Sequence, residues 1–330
     1  MSRPERLDSA EAAVDLAIGR LGKRIVLGLP LALGKANHIA NAFYARAKAD
    51  PELDLTIYTA LSLEVPAAPN ALAARLLDPI TERLYKDHPH LDYAVDRRKG
   101  ALPGNVTVKE FFLPPGSLLS NDTAQREYVS SNYTHAGRDI LDAGLNVVAQ
   151  MIAPGLDPDT DDGPRNYSLS CNPDLSLDLV PALRERGRDC VVLGEVNAAL
   201  PFLGRDAVVS PDWFDGIYDA GAYTLFPTPA EKVRLADHAV GLQASALVRD
   251  GGTLQIGIGA LSDALSHALR LRHGRNRAWN EMRAALDADD DPLTDELGGT
   301  GPFERGLYGC SEMITEGLLS LYDCGALTRE

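Results

Sequence analysis

Short apolar runs alternate with amphipathic stretches along the chain. Arg24 to Leu29 reads as a buried strand and ends in a Gly/Pro turn. Beyond it Ile39, Ala40, Phe43, Tyr44 and Ala47 recur at the spacing of one helix face. Leu53 to Leu61 and Asn105 to Leu113 are two further β-rich runs, the second closed by Pro114-Pro115-Gly116. GLNVVAQMIA, NYSLSC, RDCVVLGEVN and the stretch near Trp213 to Tyr218 continue the strands. Residues 11–21 form a short helix pattern, and Asp174 to Arg186 is amphipathic. Strands that alternate with helices predict an α/β fold of mainly parallel open sheets with helices on both faces. No short fixed period recurs.

The pattern breaks at Leu225 to Lys232, where two prolines interrupt it. This predicts a first domain over residues 1–226 and a second over 227–330. In the second, a helix runs to about Val248, RDGGTLQIGIG gives a turn and an apolar strand, and ALSDALSHALRLRH gives a helix. Residues 274–306 are rich in Asp, Arg and Gly and read as an insertion or mobile loop. One or two strands are few for a parallel sheet. The second domain is therefore expected to be incomplete, its missing half lying beyond this sequence.

Composition narrows the function classes. With 24% charged and 45% hydrophobic residues the chain has an ordinary globular make-up. A net charge of -15 argues against nucleic acid as the main partner, because phosphate binding relies on Lys and Arg clusters. No apolar run approaches the roughly 20 residues of a membrane helix. The N-terminus lacks the apolar block of a signal peptide. Cys171, Cys190, Cys310 and Cys324 are widely spaced, so a reduced, cytoplasmic chain is the simplest reading.

Two motifs near the C-terminus carry the chemistry. In GIGAL, Gly257, Ile258, Gly259, Ala260 and Leu261 follow a strand and open a helix. Glycines let the backbone approach a ligand, and the helix N-terminus turns amides toward negative charge. A tight strand-to-helix turn with no ligand explains the same glycines. The third glycine and the ribose-binding acid of a dinucleotide fingerprint are missing, which disfavours NAD. In YGCSEMITEG, Glu312 has apolar neighbours Tyr308, Cys310, Met313 and Ile314, which suggests partial burial. A desolvated carboxylate is costly and often functional, and it can serve as a covalent nucleophile. A solvated helix glutamate is the alternative.

Other segments divide evenly between structure and ligand contact. Gly28 and Pro30 in GLPLALGKAN could line a substrate pocket or make a strand-to-helix connection. Asn132-Tyr133-Thr134-His135 is a polar corner or a ligand contact, and Asn172 or Asp174 is expected to cap a helix. The Asp-rich tracts Asp157 to Gly163 and Asp287 to Glu296 lack a calcium-loop pattern, so no metal is expected.

Together GIGAL and CSEMITEG resemble the acetyl-CoA hydrolase/transferase family of CoA-transferases. SNYTHAGRDIL, NVVAQMIAP, YSLSCNPDLSLDL and LGEVNAALPFLG resemble its N-terminal domain in the same order. The resemblance implies that Glu312 attacks an acyl-CoA thioester and that the loop at 257–261 cradles CoA. CoA would be substrate and product, with no metal or nicotinamide, and a small carboxylate such as acetate would be the acceptor. It also implies a missing C-terminal segment with a Gly-Asn loop that supplies oxyanion donors. Little turnover is therefore expected from these 330 residues alone. A second copy of the chain (a homo-oligomer) or a complementing C-terminal chain is the expected protein partner. A non-catalytic module that binds CoA or a partner, or half of a split CoA-transferase, is the competing reading.

Overall fold

A computed structural model describes residues 3–155, 164–226, 231–286 and 292–329. The Asp-rich tract at 157–163, and residues 287–291 of the second tract, lie outside them. The chain divides into two compact units, Met1–Phe226 and Pro227–Glu330.

The first unit runs β1 (Glu5–Leu7), α1 (Ala10–Leu21), β2 (Arg24–Gly28), α2 (Asn37–Ala49), β3 (Asp54–Thr59), α3 (Ala71–Tyr85), α4 (Asp92–Arg98) and β4 (Val106–Glu110). It continues with α5 (Asp122–Arg126), α6 (Tyr133–Asp142), β5 (Val147–Pro154), β6 (Tyr167–Ser168), α7 (Asp174–Glu185), β7 (Val191–Val196), β8 (Val208–Val209) and β9 (Gly216–Asp219). The main sheet is ordered β1-β9-β7-β5-β2-β3-β4, and every neighbouring pair along it is parallel. The short β6 and β8 add antiparallel pairs beside β5.

Both faces of the sheet are covered, so its central strands are mainly apolar rather than alternating, with Gln150 and Glu195 as buried exceptions. Successive residues still point to opposite sides. Val147 and Ala149 of β5, with Val191 and Leu193 of β7, join a core with α1 and α2, including Val14, Ala17, Ile39 and Phe43. The interleaved Val148, Ile152, Val192 and Val196 pack with Ile140 and Leu141 of α6 and with Val180 and Leu183 of α7. Each such side chain contributes roughly 1.5–3 kcal/mol by leaving water. In contrast, α3 buries no residue, and Leu72, Leu76, Ile80 and Leu84 form an exposed stripe along it.

Two capping expectations are decided. Asn132 accepts a hydrogen bond from Thr134 N at 3.0 Å and caps α6, so the polar corner is structural at that residue. α7 does not use Asn172 or Asp174 as its cap. Pro173 holds that place without a side-chain bond. The side chain of Asn172 is instead packed against Gly34, where an added Cβ would lie 1.9 Å from its Oδ1.

The second unit contains α8 (Leu235–Ala246), β10 (Thr253–Gln255), α9 (Ala260–Gly274), α10 (Asn276–Ala284), α11 (Pro292–Leu297), β11 (Tyr308–Cys310) and α12 (Glu316–Asp323). β10 and β11 pair in parallel. α8 and α9 pack closely at Gly241, where a Cβ would come 2.7 Å from the Ala264 backbone carbon. The segment read as an insertion or mobile loop is largely helical in its described part. Fully buried Trp279 of α10 donates from Nε1 to Ser245 Oγ at 2.9 Å. The guanidinium groups of Arg272 and Arg283 stand 5.5 and 5.0 Å over its ring. One tryptophan and two arginines replace the apolar repeat that marks a helix in sequence.

Candidate functional site

The two C-terminal motifs leave one end of the same small sheet. Register pairs Thr253 with Tyr308 and Gln255 with Cys310. Ile256 N donates to Cys310 O at 3.3 Å and extends that pairing by one residue. The glycine bend begins at Gly257, and the step carrying Glu312 begins at Ser311. Ser311 Oγ lies 2.6 Å from Ile256 O and 2.5 Å from Met313 O, while Met313 N donates back to Ser311 Oγ at 3.2 Å. One hydroxyl thus braces both turns. In parallel sheets ligands gather outside the carboxyl ends of the strands, and both motifs lie there.

Glu312 is exposed, not partly buried. Two of the apolar neighbours that suggested burial face outward themselves, Tyr308 and Ile314 at 40% and 61% exposed, whereas Cys310 and Met313 are half-buried. α12 starts directly afterwards, capped by Thr315.

Gly259 adopts φ +120° and caps α9 without a side-chain bond. That backbone region is essentially closed to other residues. α9 begins beside a cleft of about 730 Å³ lined by Ile258, Gly259, Ala260 and Leu261 together with Lys232 and Arg234. Glu231 and Asp237 also border it, and Asp237 accepts from Arg234 N at 2.8 Å. Neither Lys232 nor Arg234 makes a salt bridge among the described residues. Helix amides and two cations beside an exposed bend suit a phosphorylated ligand. Glu312 does not line this cleft. The basic pair escapes a sequence reading because Leu225 to Lys232 reads as a boundary and Arg234 carries no motif.

In the first unit, Gly28 ends β2, and the chain turns at Pro30. β2 is flanked by β3 on one side and β5 on the other, which is the point where the strand order reverses. A small cavity of about 30 Å³ lies there, lined by Gly28, Pro30, Leu31, Phe111, Ile140 and Leu179 among others. That is room for little more than a methyl group or a water.

The first unit also holds buried polar groups that sequence reasoning missed. Lys35 is fully buried, and burial lowers its pKa to about 7, with Glu110 opposing the shift. Glu110 is engaged by Arg97 and by Ser62, whose amide and hydroxyl donate to Oε1 at 2.8 and 2.5 Å. Glu195, buried in β7, holds His38 Nδ1 at 3.1 Å and accepts from Ile39 N at 3.0 Å and Tyr223 Oη at 2.8 Å. The Glu195 bond raises the His38 pKa above 6.5. An acid inside the apolar run VVLGEV was the available signal, because such a group must find partners.

Among the described residues no group of three or more His, Cys, Asp or Glu could hold a metal, and no helix is long and apolar enough to cross a membrane. All four cysteines are free.

No family model and no curated protein sequence matches the chain. Solved structures do. RipA from Yersinia pestis aligns with TM-score 0.62 and 17% identity over 98% of this chain and 59% of its own. A 4-hydroxybutyrate CoA-transferase from Porphyromonas gingivalis aligns with TM-score 0.56 and 17% identity over 98% of this chain and 58% of its own. The fold is CoA-transferase-like. A structure described as the alpha subunit of citrate lyase from Streptococcus mutans, in complex with citrate, aligns with TM-score 0.52 and 13% identity over 99% of this chain and 55% of its own. The chain therefore spans less than three-fifths of the length of these structures.

Proposed function

We propose that the chain carries the N-terminal domain and the nucleophile-bearing first part of the second domain of an acyl-CoA:carboxylate CoA-transferase or acetyl-CoA hydrolase. It would belong to the acetyl-CoA hydrolase/transferase family. The observation that carries this reading is the shared strand end: the glycine bend and the Glu312 step leave β10 and β11 side by side, joined through Ser311.

In the proposed reaction a Glu312 carboxylate oxygen attacks the acyl carbonyl. The C–S bond breaks, CoA leaves as thiolate, and an acyl-glutamyl anhydride forms. The thiolate then attacks the glutamyl carbonyl, releases the first carboxylate and leaves a glutamyl-CoA thioester. An acceptor such as acetate attacks that thioester to form a new anhydride and thiolate. The thiolate takes the acceptor's acyl group and frees Glu312. Water that intercepts an intermediate gives hydrolysis. No proton has to move in the transfer branch, and exclusion of water governs the outcome.

Gly257 to Leu261, with Lys232 and Arg234, would hold the phosphates of CoA. Gly28 and Pro30 would border the acyl group, and the small cavity beside them suits an acetyl methyl. Four free thiols suit the reducing cytoplasm.

The test is trapping with borohydride or hydroxylamine after addition of acetyl-CoA, read by mass spectrometry. Modification should map to Glu312 and vanish in Glu312→Gln. Labelling that persists in the variant overturns the assignment.

The exposure of Glu312 favours a second reading, in which this chain binds CoA without turnover, alone or with a complementing chain. Calorimetry that detects CoA binding in the absence of any trapped adduct would support it.

A further inference from the structure

Among the described residues Lys35 has no carboxylate in contact, and its protonated form is held by carbonyls alone. Its Nζ donates to Pro30 O at 2.7 Å, Ala60 O at 2.7 Å and Leu61 O at 3.2 Å. Those three bonds use all three ammonium protons. Glu110, whose charge acts on it, is taken up by Arg97 and Ser62. Burial of a charge satisfied only by carbonyl dipoles is costly, and a methionine or leucine would fill the same volume more cheaply. What the ammonium adds in exchange is its grip on the backbone.

It grips two loops at the carboxyl end of the sheet. One follows β2 and holds Pro30; the other follows β3 and holds Ala60 and Leu61. Each turns through a left-handed residue that is not glycine, Ala32 at φ +52° and Leu61 at φ +45°. Such corners persist only where their surroundings enforce them. The two loops also frame the small cavity. Pro30 and Leu31 form one wall, and Phe111 forms another. Phe111 N donates to Thr59 O at 3.2 Å and Leu61 N to Phe112 O at 2.8 Å, so the β3 loop carries that wall with it. A second donor, Thr59 Oγ1, reaches the same Pro30 carbonyl at 3.1 Å.

We infer that Lys35 is a positioning residue that sets the width of the cavity beside Gly28 and Pro30 and so restricts the acyl group to one or two carbons. This rests on the acyl-CoA reading above. Lys35 touches no substrate; it pulls the Pro30 and Ala60–Leu61 backbones together so that no larger group fits. Without it Leu61 O loses its donor, Pro30 O keeps only Thr59 Oγ1 and Ala60 O keeps only Ala32 N at 3.4 Å; the left-handed corners relax, and the walls part.

The experiment is calorimetry of the full chain with free CoA, acetyl-CoA, butyryl-CoA and hexanoyl-CoA. The wild type should bind acetyl-CoA at least tenfold more tightly than hexanoyl-CoA. Lys35→Met should bring the two affinities within about threefold while the affinity for free CoA stays within twofold, a split that general loss of structure would not produce. A folded Lys35→Met protein with the wild-type ratio overturns the inference. If that variant does not fold, Thr59→Val withdraws only the second donor on the Pro30 carbonyl. It should narrow the ratio about threefold, and an unchanged ratio there overturns the inference equally. A wild type that binds none of the four ligands refutes the acyl-CoA reading itself. Tight binding with equal preference for short and long chains refutes only the role of Lys35.

Discussion

Ser311 reaches across the paired strand ends to the carbonyl of Ile256, at 2.6 Å, and joins the turn before Glu312 to the turn before Gly257. Removal of that hydroxyl separates the two motifs without disturbing a core. Ser311→Ala should cost about 1 kcal/mol of stability or less. The rate of acyl labelling at Glu312 should fall about tenfold, since loss of positioning far outweighs the loss of one bond. Mass-spectrometric trapping over time checks this, and an unchanged rate would falsify the brace.

Gly257 and Gly259 should respond differently to alanine. No atom lies within 4 Å of a Cβ built on Gly257, whereas Gly259 has φ +120°. Gly257→Ala should leave the melting temperature unchanged and weaken CoA about tenfold, because the methyl meets only the ligand. Gly259→Ala should lose stability by about 1–3 kcal/mol as well as affinity. Thermal scans beside calorimetry separate the two, and equal melting losses would contradict the assignment of the open face.

Arg97 and Glu110 form a buried pair, with side chains 4% and 2% exposed. Loss of one partner strands the other charge. Arg97→Met should destabilise the chain by about 3–5 kcal/mol, and the double variant Arg97→Met with Glu110→Met should recover part of that loss. Denaturant midpoints of the wild type, both single variants and the double variant test it. Additive losses would mean that the two charges do not depend on each other.

His38 should make stability depend on pH. The bond to Glu195 lifts its folded pKa above 6.5, although burial opposes the lift. The folded state then binds the proton more tightly than the unfolded chain. The pair's contribution is complete below 6.5 and disappears as pH rises through the folded value. The His38 side chain is 36% exposed, so solvent screening keeps the effect small. The stability gap between the wild type and His38→Asn should be larger well below 6.5 than well above it. A gap that is flat or widens with pH would contradict the pairing.

Much of the fold was legible because its signal is local. β5 and β7 are buried on both faces, so Val147 to Ala153 and Val191 to Val196 read as apolar runs interrupted only by Gln150 and Glu195. Elements that bury little were not legible. β1 is three residues with two exposed, and α3 presents its leucines to solvent. α10 was masked by the arginines that surround Trp279. At the candidate site, the glycine bend and the acid step could be seen as motifs, but their adjacency depends on a parallel register between residues 255 and 310, which no local pattern encodes. Tyr308 and Ile314 misled the expectation for Glu312, because apolar residues beside an acid say nothing about which way they face. Lys35, His38 and Glu195 acquire their roles from partners distant in sequence.

The order of strands also bears on how the chain is made. β1 pairs with β9, Glu5 opposite Gly216 and Leu7 opposite Tyr218. A ribosome adding about 5–20 residues per second needs on the order of ten to forty seconds to reach that partner. Until then the leading segment has nowhere to dock, and the flank of β7 that will receive β9 stays open to other nascent chains. β1 is therefore seated only long after it is made, and a chaperone that shields that flank should raise the yield of folded protein.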